Sequence, residues 1–278
     1  MCGVAGIVRP QASGTVEEQA LLRMARALRH RGPDGFGLAL DAGAGVVSAR
    51  LAIFDPLHGW QPFETAPDGS ILVYNGEVYN HPELRAELEA RGESFATTCD
   101  TEVVLRLLER EGVSALHRLN GQFAFAWWQP RERRLTLVRD RFGVRPLHYA
   151  LLDDGSLVFG SEAKALFASG EVPAAPDLAG IDEVFTLWGP RAPRTAFRGV
   201  GQVMAGGLIV WERGRLIEER RWWSPEYHLG EDSGGDLDEL LAQLVALRLT
   251  EAPEGIEEAE DAVRALQLVI GTPPQLAS

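Results

Sequence analysis

Lysine is nearly absent: Lys164 is the only one among 27 basic residues, a compositional bias that says little about function. Cysteine is scarce too. Two in 278 residues, Cys2 and Cys99, argue against a disulfide framework. A single Cys2–Cys99 bridge is conceivable, but free thiols in a reducing compartment are the expectation. No apolar run approaches the ~20 residues that span a bilayer, and no charge precedes Arg9, so the start lacks the basic n-region of a secretory signal. Both absences place the chain in the cytoplasm by default. Nothing resembles a basic groove either. The formal net charge is −13, and residues 226–278 carry 12 acidic against 2 basic side chains, leaving about −3 on the first 225. That balance argues against nucleic-acid binding, and the acidic tail reads as a solvated surface. His58, His81, His117, His148 and His228 have no paired spacing, so no metal site is expected. Neither a G-x-G-x-x-G between strand and helix nor a Walker loop is present.

What remains is an ordinary globular composition, 45% apolar and 24% charged, with length for one large domain or two modest ones. Gly3–Val8 reads as a buried strand that begins almost at the N-terminus. Residues 16–29 have helical periodicity, and 29–37 (RHRGPDGFG) is a Gly/Pro loop. Strands are expected at 45–49, 51–54 and 70–74, then helices over 82–91 and 101–111. Strand pairs follow at 122–128 with 134–139, and at 147–152 with 156–160. The second pair turns at Asp153–Asp154–Gly155. A short helix covers 161–168, and 181–223 reads as further strands and turns. Antiparallel strands covered by a few helices make an α+β layered fold, not a βαβ repeat. Residues 226–236 read as a polar linker, and 237–249 and 256–270 as two amphipathic helices forming a helical hairpin.

Cys2 is the sharpest feature. Methionine before a small residue is commonly excised, which would expose the Cys2 α-amino group. That amine has a reference pKa of ~7.7–8.0 against ~8.5 for the thiol, so one residue supplies nucleophile and base. Alone, a cysteine in second position is usually an accident of sequence, and its context decides. Cys2-Gly3-Val4-Ala5-Gly6-Ile7 and RHRGPDGFG at 29–37 are followed by RLAIFD at 50–55 and YNGEVYN at 74–80. Then come CDTEV at 99–103, LNGQFAFA at 119–126, RDRFGVRPL at 139–147 and GSEAKAL at 160–166. Each is weak alone. In this order and spacing they resemble the N-terminal class II glutamine amidotransferase domain of glutamine-hydrolysing asparagine synthetases, over about residues 2–225.

The resemblance implies a four-layer αββα sandwich of two antiparallel sheets, of the N-terminal-nucleophile hydrolase type. It implies L-glutamine as substrate, hydrolysed to glutamate and ammonia through a Cys2 thioester. Asn75 (side-chain amide) and Gly76 (backbone N–H) would form the oxyanion hole. Arg50 would hold the substrate α-carboxylate, Asp100 the α-ammonium with help from Glu77, and the backbone at Leu51 and Ile53 would line the pocket. From the residues alone, bland readings stay open. Asn75-Gly76 is a common turn dipeptide, Arg50 and Asp100 suit surface ions or an internal pair, and Asp100-Thr101 suits a helix start. His30 with Arg29 and Arg31 suits an anion site or a solvated loop. Trp127-Trp128 and Trp222-Trp223 read as core and interface aromatics.

The chain also departs from the family pattern. The synthetase half resembles an ATP pyrophosphatase with an S-G-G-x-D-S phosphate loop, and Ser233-Gly234-Gly235-Asp236-Leu237-Asp238 is a superficial match that follows no apolar strand. The helix at 237–249 resembles the lead-in to that half, and residues 237–278 read as its remnant. No cofactor is expected for the glutaminase, with ATP and Mg entering only if a separate synthetase domain is supplied. Such a partner would dock through Leu237–Ile270; a homodimer stays open. The alternative reading is a non-catalytic glutamine-binding or regulatory module.

Overall fold

The computed structural model describes residues 2–52, 55–65 and 69–225, and contacts gather Met1–Pro225 into one unit. The expected linker, helical hairpin and phosphate-loop look-alike lie outside the described residues, as do Met1 and Ile53.

Among the described residues there are twelve strands and five α-helices. The strands are β1 (Gly3–Val8), β2 (Gly35–Asp41), β3 (Ala44–Arg50), β4 (Phe63–Glu64), β5 (Ile71–Val78) and β6 (Gly121–Gln129). They continue as β7 (Arg134–Arg139), β8 (His148–Leu151), β9 (Leu157–Gly160), β10 (Gly201–Gln202), β11 (Gly207–Glu212) and β12 (Arg215–Arg221). The helices are α1 (Glu18–Ala27), α2 (His81–Ala90), α3 (Asp100–Glu111), α4 (Ala163–Ala168) and α5 (Leu178–Leu187). One six-stranded sheet runs β10-β8-β9-β1-β3-β2, the other β12-β11-β7-β6-β5-β4.

Strand alternation builds three apolar interfaces. In β1, Val4 and Val8 face the second sheet, meeting Val73, Ala124, Trp128 and Leu137, while Ala5 and Ile7 face Leu21 and Met24 of α1. On β5 and β6, Leu72, Tyr74, Phe123 and Phe125 turn the other way, onto Val103, Val104 and Leu107 of α3. Period-two side chains thus bury both faces of both sheets, which is why β1, β3 and β6 read as near-continuous apolar runs. The order is helices, sheet, sheet, helices: the αββα sandwich. Trp127, Trp128 and Trp222 are core aromatics in it.

Four local readings are corrected. The loop expected through residue 37 ends earlier, because Gly35–Asp41 pair with β3. Gly37 belongs to a strand since a Cβ there would lie 1.9 Å from the Gln61 carbonyl oxygen, a contact only glycine permits. Leu51 and Ala52 are irregular rather than strand. Residues 178–187 form a helix, not strands, with the Asp177 carboxylate capping the N–H groups of Ala179 and Gly180. And Asn75-Gly76 is no turn; it sits inside β5.

Candidate active site

Register brings the nucleophile candidate to the site. In the β1–β3 pair Gly3 lies opposite Ala49, so the next step outward sets Cys2 against Arg50 and Leu51. The Leu51 N–H donates to Cys2 Sγ at 3.4 Å, and the thiol reaches the Leu51 carbonyl at 3.6 Å. Burial pushes the Cys2 thiol up, against the Leu51 hydrogen bond that favours the thiolate. In this state the sulfur is a thiol that needs a base.

A cleft of about 460 Å³, counting its open mouth, lies in front of Cys2. Its walls include Cys2, Arg50, Leu51, Asn75, Gly76, Glu77 and Asp100, so every described residue to which the resemblance gave a catalytic or glutamine-binding role meets there. Asn75 is fully buried, and neither its Oδ1 nor its Nδ2 has a hydrogen-bond partner among the described residues. A buried amide with both ends unmet costs free energy, which marks it as a group waiting for something in the cleft.

Gly76 follows from the same strand. Even-numbered N–H groups of β5 point away from β6, toward the edge that β4 covers only as far as Leu72. Beyond β4 the Tyr74 N–H is taken by Gln61 Oε1 at 2.8 Å and the Val78 N–H by Asp100 Oδ2 at 3.0 Å. Alternation sets the Gly76 N–H on this edge between them. Its missing side chain lets β6 come close, since a Cβ there would lie 2.3 Å from the Gln122 carbonyl oxygen.

Two charged groups flank the cleft. The Arg50 guanidinium donates to the carbonyls of Asp55 and Pro56 at 2.7 and 2.9 Å and lies 4.8 Å from the Trp60 ring centre. Asp100, in the first turn of α3, accepts from Val78 N–H and faces Thr101 Oγ1 at 3.3 Å. Its burial raises its pKa, opposed mainly by the Val78 bond. Cys99, not Asp100 or Thr101, occupies the N-cap of α3. Glu102 instead reaches back to the N–H groups of Ala96 and Thr97, as a carboxylate in a first turn does. Glu77 accepts from Gln122 Nε2 at 3.2 Å.

Sequence reasoning left Gln61, Tyr74, Cys99 and Arg145 without site roles, yet all four line the cleft. Arg145 lies in the quoted RDRFGVRPL motif, where the Asp140 carboxylate gathers the N–H groups of Phe142, Val144 and Arg145 into a tight loop. Cys99 opens the quoted CDTEV motif; no pattern announced Gln61. Neither cysteine forms a disulfide among the described residues, and burial pushes Cys99 up to about 12, so it stays protonated at neutral pH.

Behind Cys2, Arg31 Nε donates to its carbonyl at 3.2 Å while Nη1 pairs with Glu162 at 2.8 Å. His30 and Lys164 complete the set around Glu162. Of the two readings left open for His30, anion site or solvated loop, His30 and Arg31 here meet a side-chain carboxylate. Burial alone would raise Glu162; bonds from Arg31, Lys164 and His30 outweigh it and bring its pKa to about 2. Since the folded value is depressed, its stabilisation is full above the unfolded pKa near 4.5 and fades as pH falls toward 2. Glu162→Gln should therefore flatten the stability–pH profile between about pH 5 and 2. Urea midpoints across that range check it; parallel wild-type and variant profiles would contradict the assignment.

Among the described residues no cluster of three or more His, Cys, Asp or Glu side chains is arranged to hold a metal, and no helix is long and apolar enough to cross a membrane.

Comparison with known proteins adds the relatives. A family model described as the glutamine amidotransferase domain matches residues 1–223. Asparagine synthetase [glutamine-hydrolyzing] 3 of Bacillus subtilis is 35% identical over 239 residues, covering 85% of this chain and 39% of the relative. Asparagine synthetase [glutamine-hydrolyzing] 2 of the same organism is 41% identical over 176 residues, covering 62% of this chain and 23% of the relative. The chain thus spans about two fifths or less of these relatives. Among solved structures, glutamine phosphoribosylpyrophosphate amidotransferase from B. subtilis superposes with a TM-score of 0.60 at 20% identity. That match covers 81% of this chain and 50% of the other and bears on the fold alone.

Proposed function

Because the chain belongs to the class II glutamine amidotransferase domain family, we propose that it hydrolyses L-glutamine to glutamate and ammonia with Cys2 as nucleophile. One observation carries this reading: the Cys2 thiol and the unpartnered, fully buried Asn75 amide face one cleft. With Met1 removed, the Cys2 α-amine takes the thiol proton as sulfur attacks the substrate side-chain amide carbon. The carbonyl π pair becomes an oxyanion that the Asn75 Nδ2 and Gly76 N–H groups stabilise. The C–N bond then breaks, the amine returns its proton to the leaving nitrogen, and ammonia departs from a Cys2 glutamyl thioester. Water, deprotonated by the same amine, releases glutamate and regenerates the thiol.

The α-ends of the substrate meet groups of matching sign. Arg50 holds the α-carboxylate, a contact suited to the bidentate guanidinium fork. Asp100 and Glu77 hold the α-ammonium, whose charge favours the ionised form that burial of Asp100 disfavours. The backbone at Leu51 lines the pocket. No cofactor is needed for these steps.

The relatives' full length points to an acceptor for the ammonia. An ATP- and Mg-dependent synthetase domain, met through residues 237–270, would pass the ammonia to aspartate. We place this chemistry in the cytoplasm. Glutamate release from glutamine by the purified chain tests the glutaminase. Calorimetric glutamine binding without any release would sink it and leave a regulatory, non-catalytic module.

A further inference from the structure

We infer that Gln61 is a positioning residue for the oxyanion hole: its amide oxygen pins the open edge of β5 so that the Gly76 N–H is held facing the cleft. The inference rests on the glutaminase reading above and adds to it a residue at the cleft wall that acts through the backbone of β5.

β4 begins only at Phe63, opposite Leu72, so β5 has a ladder partner on this edge only at Ile71 and Leu72. From Tyr74 onward the edge would otherwise present a row of unmet backbone groups, free to shift or take up water. Two side chains from different parts of the chain replace the missing strand. Asp100 caps Val78 from α3, and Gln61 caps Tyr74 from the segment leading into β4. Gly76 lies midway between those two anchors. The amide orientation of Gln61 is forced, since a backbone N–H can only donate and the group facing Tyr74 must be Oε1. Ser48 Oγ approaches the same oxygen at 3.5 Å, the outer limit of a hydrogen bond, and contributes little.

Gln61 is itself held firmly. It is buried, and its backbone carbonyl packs on the bare face of Gly37 in β2. The anchor therefore ties the oxyanion edge of one sheet to the other sheet, the one whose β1 follows Cys2. A donor must sit within a few tenths of an ångström of the developing oxyanion, and errors near 1 Å cost about 10²-fold in rate. An anchor of that donor acts on the transition state and leaves ground-state glutamine contacts alone.

Gln61→Leu keeps the size and removes the acceptor. Its expected effect is a fall in kcat of about 10- to 100-fold, with KM for glutamine within about twofold, and faster hydrogen exchange at the Tyr74 amide. Gln61→Glu keeps an acceptor oxygen, so it should slow that exchange again and recover a substantial part of the lost kcat. In a Cys2→Ala background, Gln61→Leu should leave the calorimetric affinity for glutamine unchanged, which a general loss of folding would not. Wild-type kcat in Gln61→Leu, a KM that rises in step with the loss, or a Gln61→Glu variant no more active than Gln61→Leu would each overturn the inference. A wild-type chain that releases no glutamate would fail at the earlier step and remove the glutaminase reading together with this one.

Discussion

Cys2→Ala abolishes glutamine turnover, with kcat down by at least about 10⁴-fold, the scale set by nucleophile removal in other hydrolases, while glutamine still binds. The size follows from the site. No other described group in the cleft can replace Cys2 as nucleophile: the second thiol, Cys99, is held protonated with its pKa near 12. The variant should stay folded, since the Cys2 side chain contributes only long bonds of 3.4 and 3.6 Å to the Leu51 backbone and the β1 register is set by Gly3–Val8. Steady-state glutamate release and calorimetry check both halves. Turnover within tenfold of wild type would place the nucleophile elsewhere.

Asn75→Ala should lower kcat by about 10²- to 10³-fold, the value of one oxyanion donor, with a much smaller change in KM. Stability should move the other way from most core truncations. Asn75 is fully buried and its amide has no partner among the described residues, and an unmet buried polar group costs roughly 1–3 kcal/mol. Removing it relieves that cost and opens only a small cavity, so the urea midpoint should hold or rise. A variant that loses stability but keeps kcat within threefold would make Asn75 a structural residue. Opposite signs on activity and stability are hard to produce otherwise.

Much of this site is named in the amino-acid sequence through its resemblance to a family, and the fold gives the physical reason those segments meet. Cys2, Arg50, Asn75 and Asp100 lie in separate segments, but each sits at a fixed place on an element whose pattern is strong. β1 and β3 are apolar runs whose register sets Cys2 beside Arg50, and Asp100 opens a helix with a clear apolar face. The layers are legible for the same reason, since buried strands and amphipathic helices write their period into the sequence. Less legible is whatever depends on close approach across elements. β2 hides in a glycine-rich stretch because Gly37 serves contact with Gln61, not strand propensity. Asn75-Gly76 suits a turn because local preference cannot report that β6 passes within 2.3 Å of a would-be Cβ. α5 escapes the pattern because its apolar residues Leu178, Phe185 and Leu187 are exposed and blur the helical stripe. Gln61 carries no motif: its role comes from an edge that a short β4 leaves uncovered.

The most direct test of the account is acid-quenched mass spectrometry of the chain mixed with L-glutamine. A glutamyl adduct on the peptide that begins with Cys2, formed within one turnover and absent from Cys2→Ala, is the predicted result. Glutamate released with no adduct on that peptide, or with Met1 still in place on every active molecule, would contradict it.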